Sequence, residues 1–203
     1  HLSIHNTSVA NATLFANSAP IFVAFITWLL FRQRLTKLFL GGMMVAIIGA
    51  GVLVASDLNL RPEHLKGDGY GIITAMFLAS YLIIVSRLRA RFSTSAIMAW
   101  GSIGTAAILL PIAFGSGEIL IAETIYGWIV LLGLALISHA IGQGFIAYAL
   151  AGLSAQFSSI GLLIEPISAA VLALLILGES LNTWQIAGAA VILSGIVIAR
   201  RGS

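Results

Sequence analysis

The chain has 203 residues, of which 60% are hydrophobic and only 8% are charged, and it contains no cysteine. A soluble domain carries about 25% charged residues, so this composition excludes an ordinary water-soluble protein and indicates that lipid is the main solvent. The net charge of +3 does not indicate a nucleic-acid partner, because the basic residues lie in short clusters between apolar runs. The lack of cysteine excludes disulfides and thiolate chemistry.

Seven apolar segments are each long enough for a membrane-spanning helix, which needs about 20 residues. They cover residues 9–31, 38–55, 69–85, 94–114, 125–150, 154–177 and 183–199. The runs are too continuous for the alternating pattern of a membrane β-barrel. The sequence therefore predicts an all-α polytopic membrane protein that is embedded in a lipid bilayer.

The basic residues predict how these segments are oriented. Eight of the ten Lys and Arg residues fall on one side if all seven segments span the membrane: Arg32, Arg34, Lys37, Arg87, Arg89, Arg91, Arg200 and Arg201. The positive-inside rule makes that side cytoplasmic. We therefore expect a cytoplasmic C-terminus and an outer loop around residues 59–66, in a bacterial-type inner (plasma) membrane.

The first and third segments carry polar candidates for lining a cavity. Pro20 interrupts the first segment, and Asn17 lies one turn before it. A mid-helix proline removes a backbone donor, so the Ala16 carbonyl should lose its helical partner. Such a group at membrane depth needs a neighbour or a water-lined cavity. Tyr81 shares one helical face of the third segment with Tyr70 and Thr74.

The fifth segment carries His139 and Gln143, which are four residues apart and so share one helical face. We expect these side chains to line a cavity opposite Glu165. Two interpretations of His139 remain open, a proton partner or a hydrogen-bonded packing residue. A lone histidine without a second ligand at metal spacing predicts no zinc site, and no cofactor is expected.

The sixth segment places Glu165 at its midpoint, directly before Pro166. At 100° per residue, one polar stripe of this helix contains Ser154, Ser158, Gly161, Glu165 and Ser168. Ionisable groups inside a span are costly, at about 2.5–3.5 kcal/mol for Asp or a basic residue, and usually face a cavity or a partner. Pro166 should also leave the carbonyl of Leu162 without a partner.

Two roles for Glu165 are consistent with this placement. Removal from water favours the neutral form of a carboxyl group, so Glu165 could carry a proton or balance a cationic ligand. Alternatively, a neighbouring helix satisfies the carboxyl permanently, and the residue only stabilises packing.

The sequence contains an internal repeat at an offset of 146 residues. The identical positions are Ser8/Ser154, Pro20/Pro166, Ile21/Ile167, Ala24/Ala170, Leu29/Leu175, Leu35/Leu181, Gly42/Gly188, Val45/Val191 and Gly49/Gly195. The second copy includes three more helices, so the repeat unit has five. We therefore expect residues 1–56 to be the last two helices of a first repeat and residues 57–203 to be a complete second repeat. Roughly 80 residues and three helices should precede this chain, giving ten helices, and an odd number per repeat predicts inverted halves.

Three stretches carry a family resemblance: SIHNTSVANATLFANSAPIFVAF, GQGFIAYALAGLSAQFSSIGLLIEPISAAVLALLILGESL and GAAVILSGIVIARR. Together they resemble the EamA-like family of the drug/metabolite transporter superfamily. The resemblance implies ten helices in two inverted halves, cytoplasmic termini, and export or exchange of small metabolites such as amino acids or amines. In two respects the chain departs from the family: the first three helices are missing, and Gln33 stands where the second copy has Glu179.

Two other functions compete with a transporter that uses alternating access and possible coupling to a proton or ion. An intramembrane enzyme is disfavoured, because the chain has neither paired carboxylates nor a complete nucleophile motif. A membrane-embedded scaffold or assembly protein without transport activity is the alternative. It is favoured if the polar stripe tolerates replacement by Ala or Leu.

Overall fold

The computed structural model describes residues 9–55, 65–115, 121–122 and 124–203. Within these ranges the α-helices are α1 (Val9–Ala16), α2 (Ala19–Phe31), α3 (Lys37–Leu53), α4 (Leu65–Leu88), α5 (Thr94–Gly115), α6 (Ile125–Gly133), α7 (Gly144–Ala149), α8 (Ala155–Gly161), α9 (Glu165–Leu172) and α10 (Thr183–Gly202). Three other helical segments are a π-helical stretch (Leu134–Gln143) between α6 and α7, a 3-10 turn (Leu162–Ile164) between α8 and α9, and a π-helical stretch (Ala173–Leu177) after α9. The described ranges contain no β-strand, so the predicted all-α class is confirmed.

Six helical stretches in the described ranges are long and apolar enough to cross a membrane: Asn11–Phe31, Lys66–Leu88, Thr94–Gly115, Ile125–Ala149, Ala155–Leu177 and Thr183–Gly202. They correspond to six of the seven predicted segments. The other predicted segment, 38–55, forms α3, whose 17 residues place it at the short end of the range for a spanning helix. The start of α3 is fixed by an N-cap, because the Thr36 hydroxyl accepts a hydrogen bond from the Phe39 N–H at 3.1 Å.

The described residues form two compact units. The first contains the described residues up to Ile83 together with Ser154–Ser203, and the second contains Ile84–Leu153. The first unit therefore holds α1 to α3, most of α4, and α8 to α10. The second holds the end of α4 and all of α5 to α7.

The core of the first unit lies between α2, α3, α8 and α10. Helix α3 contributes Phe39, Met43, Ala46, Ala50 and Leu53, which recur every three or four residues and so share one helical face. The core also contains Ala24 of α2, Ile160 of α8, Leu163 of the 3-10 turn, and Ile192 and Ala199 of α10. This core joins the first two spans to the last two.

Helices α3 and α10 pack so closely that no side chain fits at several points between them. A Cβ atom added to Gly42 would lie 2.7 Å from the Gly195 carbonyl oxygen, and one added to Gly195 would lie 2.7 Å from the Gly42 carbonyl oxygen. A Cβ atom on Gly188 would lie 2.6 Å from the Leu53 Cα atom. Small residues at these positions allow the two backbones to touch, as is typical of helix pairs in membranes.

These glycine contacts occur in symmetry-related pairs. In each pair, α3 and α10 change places. Gly42 faces Ala199, while Gly188 (146 residues after Gly42) faces Leu53 (146 residues before Ala199). The same exchange relates the contact of Gly49 with Ile192 to that of Gly195 with Ala46. Helices α3 and α10 are therefore related by a local pseudo-twofold axis, which is the symmetry of inverted repeats.

The ends of the helices also recur at the offset of 146. Arg32, the C-cap of α2, has a φ of 50° and is the one non-glycine residue with a positive φ in the described ranges. Its counterpart is Gly178, which has a φ of 70° and ends the second π-helical stretch. Thr36 and Asn182, the N-caps of α3 and α10, are counterparts as well. These shared features support the repeat seen in the sequence.

The second unit is tied together at the loop between α4 and α5. The Arg89 side chain donates one hydrogen bond from Nε to the Ala147 carbonyl oxygen at 3.1 Å and another from Nη1 to the Phe92 carbonyl oxygen at 2.5 Å. The end of α7 is thereby held beside this loop. Arg89 thus has a structural role in addition to its predicted effect on orientation.

Candidate functional site

The first span is broken before Pro20. The Asn17 N–H donates to the Thr13 carbonyl oxygen at 2.9 Å, and the Ser18 N–H donates to the Phe15 carbonyl oxygen at 3.1 Å, which ends α1 with a turn. Pro20 lies in the first turn of α2, where its missing N–H has no helical partner to lose, and it is buried. The break leaves the Nδ2 atom of Asn17 buried with no hydrogen-bond partner in the described residues.

The span Ala155–Leu177, predicted as the sixth segment, changes its helical winding before Pro166. The 3-10 turn Leu162–Ile164 separates α8 from α9, and Pro166 is buried in the first turn of α9. The Glu165 N–H donates to the carbonyl oxygen of Leu162. Our prediction that this carbonyl lacks a partner is therefore wrong, because the tighter 3-10 winding supplies a donor three residues later. The two changes of winding, at Asn17–Ser18 and at Leu162–Ile164, coincide at the offset of 146.

The predicted polar stripe of the sixth span is not one continuous face. A 3-10 turn advances by 120° per residue rather than 100°, so its three residues rotate the second half of the span by about 60°. Ser158 lies before the turn, and its Oγ atom is buried without a partner in the described residues. Glu165 and Ser168 lie after the turn and are exposed. The assumption of a uniform helix was wrong here.

Glu165 lies near the middle of the span Ala155–Leu177, as predicted. Its side chain is exposed, and its carboxylate has no hydrogen bond or ion pair within the described part of the chain. The alternative of a carboxyl group held permanently by a neighbouring helix therefore has no described partner to support it. The hydroxyl of Ser168 donates instead to the Ile164 carbonyl oxygen at 3.1 Å, so it is not free to bind Glu165 as a donor.

A polar network that was not predicted from the sequence joins α2 to α8. The Gln156 Nε2 atom donates to the Thr27 hydroxyl at 3.0 Å and to the Gln33 Oε1 atom at 2.6 Å. Thr27 is buried and donates in turn to the Val23 carbonyl oxygen at 2.7 Å. The signal in the sequence was Gln156 within an apolar run, but no spacing rule connects it to a residue 129 positions away.

This network also fixes the relative depth of the two breaks. The end of α2 meets the start of α8, and Ala24 and Ile160 share the core, so α2 and α8 run antiparallel. At a rise of about 1.5 Å per residue in the α-helices and about 2.0 Å in the 3-10 turn, Asn17 lies about 15 Å from the level of Thr27, and Glu165 lies about 15 Å from the level of Gln156. Asn17 and Glu165 therefore lie at about the same depth in the first unit.

A buried amide–carboxylate pair, also missed, lies between α1 and α4. The Asn11 Nδ2 atom donates to the Asp68 Oδ1 atom at 3.3 Å, and the two residues are 0% and 8% exposed. A Cβ atom on Gly71 would lie 2.8 Å from the Phe15 Cβ atom, so the helices are in close contact one turn further on. The predicted third segment begins at residue 69, whereas in the structure Asp68 already lies in the first turn of the helix.

The remaining candidates occupy less enclosed positions. His139 is exposed in the first π-helical stretch, and its Nε2 atom lies 3.1 Å from the Ser102 hydroxyl. Gln143 ends that stretch and is half-buried. Both belong to the second unit and Glu165 to the first, so their predicted position opposite Glu165 stays a prediction. In the described ranges no group of three or more His, Asp or Glu residues could hold a metal ion.

Tyr81 is half-buried on α4, within the first unit. On the predicted face of Tyr70, Thr74 and Tyr81, the Thr74 hydroxyl donates to the Tyr70 carbonyl oxygen at 2.8 Å. That hydroxyl is therefore used within its own helix, whereas the side chains of Tyr70 and Tyr81 stay candidates for a cavity.

Taken together, the apolar spans and the interrupted helices define the class of the protein. It is an integral membrane protein with polar groups inside two spans whose helical winding changes, an arrangement typical of membrane transporters. A model of the EamA-like transporter family matches residues 2–55 and 65–201. The chain belongs to the EamA-like transporter family.

Similar proteins agree with this assignment. An uncharacterized transporter of Archaeoglobus fulgidus is 26% identical over 98% of this chain and 70% of its own length. An uncharacterized transporter of Helicobacter pylori is 31% identical over 72% of this chain and 50% of its own, and the uncharacterized inner membrane transporter YicL of Salmonella typhimurium is 27% identical over 97% and 66%. A solved crystal structure that is 18% identical matches 98% of this chain and 70% of its own with a TM-score of 0.82, which shows a shared fold.

Proposed function

We propose that the protein is a secondary transporter that exports or exchanges small metabolites, such as amino acids or amines, by alternating access. The observation that carries this proposal is the pair of proline-interrupted spans in the first unit, with Asn17 and Glu165 at a common depth beside the breaks. Secondary transporters bind their substrates near the middle of the membrane, at discontinuous helices of two inverted halves. The two breaks recur at the offset of 146, as such halves require.

The unpartnered polar atoms favour a cavity that takes up a polar ligand. A buried donor or acceptor without a partner costs about 1–3 kcal/mol, so such atoms are rare in folded proteins. Asn17 Nδ2 and Ser158 Oγ are two such atoms among the described residues of one unit. A carboxylate, carbonyl or water oxygen that entered beside α1 or α8 would accept a hydrogen bond from either atom.

Glu165 adds charge at about the same depth as Asn17. A carboxylate at mid-span is tolerated when it is protonated, paired or hydrated. Because no described residue pairs with Glu165, its partner in our proposal is a cationic substrate group or a coupling proton. Amines and amino acids carry an ammonium group that a carboxylate binds. Their other polar groups suit the Asn17 amide.

We also propose a domain organisation and an orientation. Residues 1–56 would be the last two helices of a first five-helix repeat, and residues 57–203 a complete second repeat. The exchange of contacts between α3 and α10 supports this division. The C-terminus would lie in the cytoplasm, because the first unit carries Arg32, Arg34, Lys37, Arg200 and Arg201 at the end where α3 begins and α10 finishes.

The test is transport by the full-length protein in vesicles, measured across a pH series for Glu165→Gln. Radiolabelled amino acids and amines are screened first with the wild type. Glutamine keeps the size and hydrogen-bonding capacity of the side chain but removes its charge and its titration. We expect the variant to insert and fold normally and to lose pH-dependent transport. Glu179→Gln is the matched control, because Glu179 is exposed and lies outside the spans.

Two outcomes would contradict this role. A wild-type rate and pH profile in Glu165→Gln would show that the carboxyl group neither titrates nor pairs during transport. A silent Glu165→Gln combined with an unstable Glu165→Leu would show that the side chain only stabilises packing. If no polar substitution alters the function of the full-length protein, a scaffold without transport activity becomes the better explanation.

A further inference from the structure

An apolar groove runs between α2 and α3 in the first unit. It has a volume of about 550 Å³, and it extends from Ile21 near the middle of the first span to Arg34 at its end. The floor is formed by Ala24 and Met43, which are buried, whereas the walls include Phe25 and Trp28, which are 54% and 56% exposed. A groove with a buried floor and apolar exposed walls is open along its length to whatever surrounds the helices.

A second cavity, whose lining contains both polar and apolar side chains, begins where the groove ends. It has a volume of about 320 Å³, and its lining includes Ser154, Gln156, Gln33 and Thr36. Arg34 lines both cavities. The hydroxyl of Thr36 donates to the Gly202 carbonyl oxygen at 2.5 Å, which joins the start of α3 to the end of α10 beside this cavity. The two cavities therefore adjoin at Arg34, and of the two only the second has Ser, Thr and Gln side chains in its lining.

The end of the site at Arg34 carries several basic side chains. Arg34 lies in the five-residue loop between Phe31 and Lys37, at the boundary where two apolar helices end. The basic residues beside it are Arg32, Lys37, Arg200 and Arg201, all exposed. In the described ranges Arg34 has no hydrogen bond or ion pair, and the three described carboxylate side chains (Asp68, Glu165 and Glu179) belong to other parts of the chain.

We propose that an anionic phospholipid binds in this site, with an acyl chain in the α2–α3 groove and its phosphate at Arg34. A lipid has this division of apolar and anionic parts, and in a membrane its phosphate lies at the depth where helices end. Basic pockets between membrane helices at the cytoplasmic boundary are known to hold anionic headgroups. Arg34 provides a planar guanidinium group that can donate two parallel hydrogen bonds to phosphate.

The position of Trp28 makes the site measurable. Trp28 lines the groove, and its ring lies 6.4 Å from that of Phe25. Bromine atoms on an acyl chain quench tryptophan fluorescence only on close contact. The full-length protein with every tryptophan except Trp28 replaced by Phe, including Trp100, Trp128 and Trp184, is reconstituted into phosphatidylcholine vesicles. Brominated phosphatidylglycerol or brominated phosphatidylcholine is then added in increasing proportion, and quenching gives the relative affinity of the two lipids.

We expect phosphatidylglycerol to bind beside Trp28 about fivefold more tightly than phosphatidylcholine, because one basic side chain near an anionic surface contributes about 1 kcal/mol. Arg34→Gln should bring the ratio close to one, and Arg34→Lys should keep most of the preference. Arg91→Gln is the matched control, because it removes the same charge from an exposed loop of the second unit. It should leave the ratio unchanged.

A tryptophan outside the groove distinguishes lipid bound in the groove from a general attraction of anionic lipids to the protein. A variant that keeps only Trp184, at the start of α10, should show no preference between the two lipids. Equal affinities at Trp28, or an unchanged ratio in Arg34→Gln, would overturn the proposal. Absence of any quenching at Trp28 would overturn it as well, because lipid would then have no access to the groove.

Discussion

Two adjacent glycines in α3 provide a sharp test of the helix packing. A methyl group on Gly42 would lie 2.7 Å from both the Ala199 Cα atom and the Gly195 carbonyl oxygen. A methyl group on Gly41 would meet nothing within 4 Å. The substitutions Gly42→Ala and Gly41→Ala therefore add the same atom to neighbouring positions of one helix, and only the first affects the contact with α10.

The magnitude of the difference can be worked out from these distances. Ordinary contacts of a Cβ atom begin at 3.4 Å, so Gly42→Ala requires α3 and α10 to separate by more than about 0.7 Å, because the backbone nitrogen of Ala199 would lie closer still. Overpacking of this kind costs about 1–3 kcal/mol. Gly41→Ala should instead raise stability by up to about 1 kcal/mol, because alanine loses less backbone entropy in a helix. The two variants should shift stability in opposite directions.

The assay is unfolding of the purified full-length protein in mixed detergent micelles with increasing sodium dodecyl sulfate, followed by circular dichroism. The double variant Gly42→Ala/Gly195→Ala adds a further check. Once the first methyl group has separated the helices, the second should cost less than it does alone. Equal stability of Gly42→Ala and Gly41→Ala would refute the close approach of α3 and α10.

Two further predictions concern the repeat and the topology. Arg32→Gly should stabilise the protein and Gly178→Ala should destabilise it, each by about 1–2 kcal/mol, because both positions have a left-handed backbone that penalises a Cβ atom. The same unfolding assay measures both variants. A stabilising effect of Gly178→Ala would contradict the left-handed conformation at this position. A cysteine introduced at Asn59, which lies outside the described residues, should react with a membrane-impermeant thiol reagent from the outside only, and labelling from the cytoplasm would reverse the predicted orientation.

Much of the fold could be predicted because it depends on local composition. The bilayer imposes a minimum length of apolar sequence on each span, so hydropathy alone predicts where the spans lie. The paired prolines also coincide with real changes of winding. In contrast, whether the Leu162 carbonyl has a hydrogen-bond donor depends on how the backbone adjusts around Pro166. A uniform helix of 100° per residue does not describe that adjustment.

The site was less predictable for a different physical reason. The bonds of Gln156 with Thr27 and of Asn11 with Asp68 join residues 129 and 57 positions apart, and they exist only because the helices pack in a particular order. A single sequence carries no signal of that order. Asn17 and Ser158 were predicted as polar candidates, but their unpartnered atoms became visible only once the neighbouring helices were placed.

The short length of α3 has a consequence for the membrane around the protein. Its 17 residues span about 26 Å, which is less than the bilayer's hydrocarbon thickness of about 30 Å. The close contact with α10 prevents α3 from moving independently, so the bilayer beside α3 has to become locally thinner. Each ångström of such hydrophobic mismatch costs a fraction of a kcal/mol. Lipids with shorter acyl chains should therefore gather beside α3, because the other spans, at 20–25 residues, are long enough for the usual thickness.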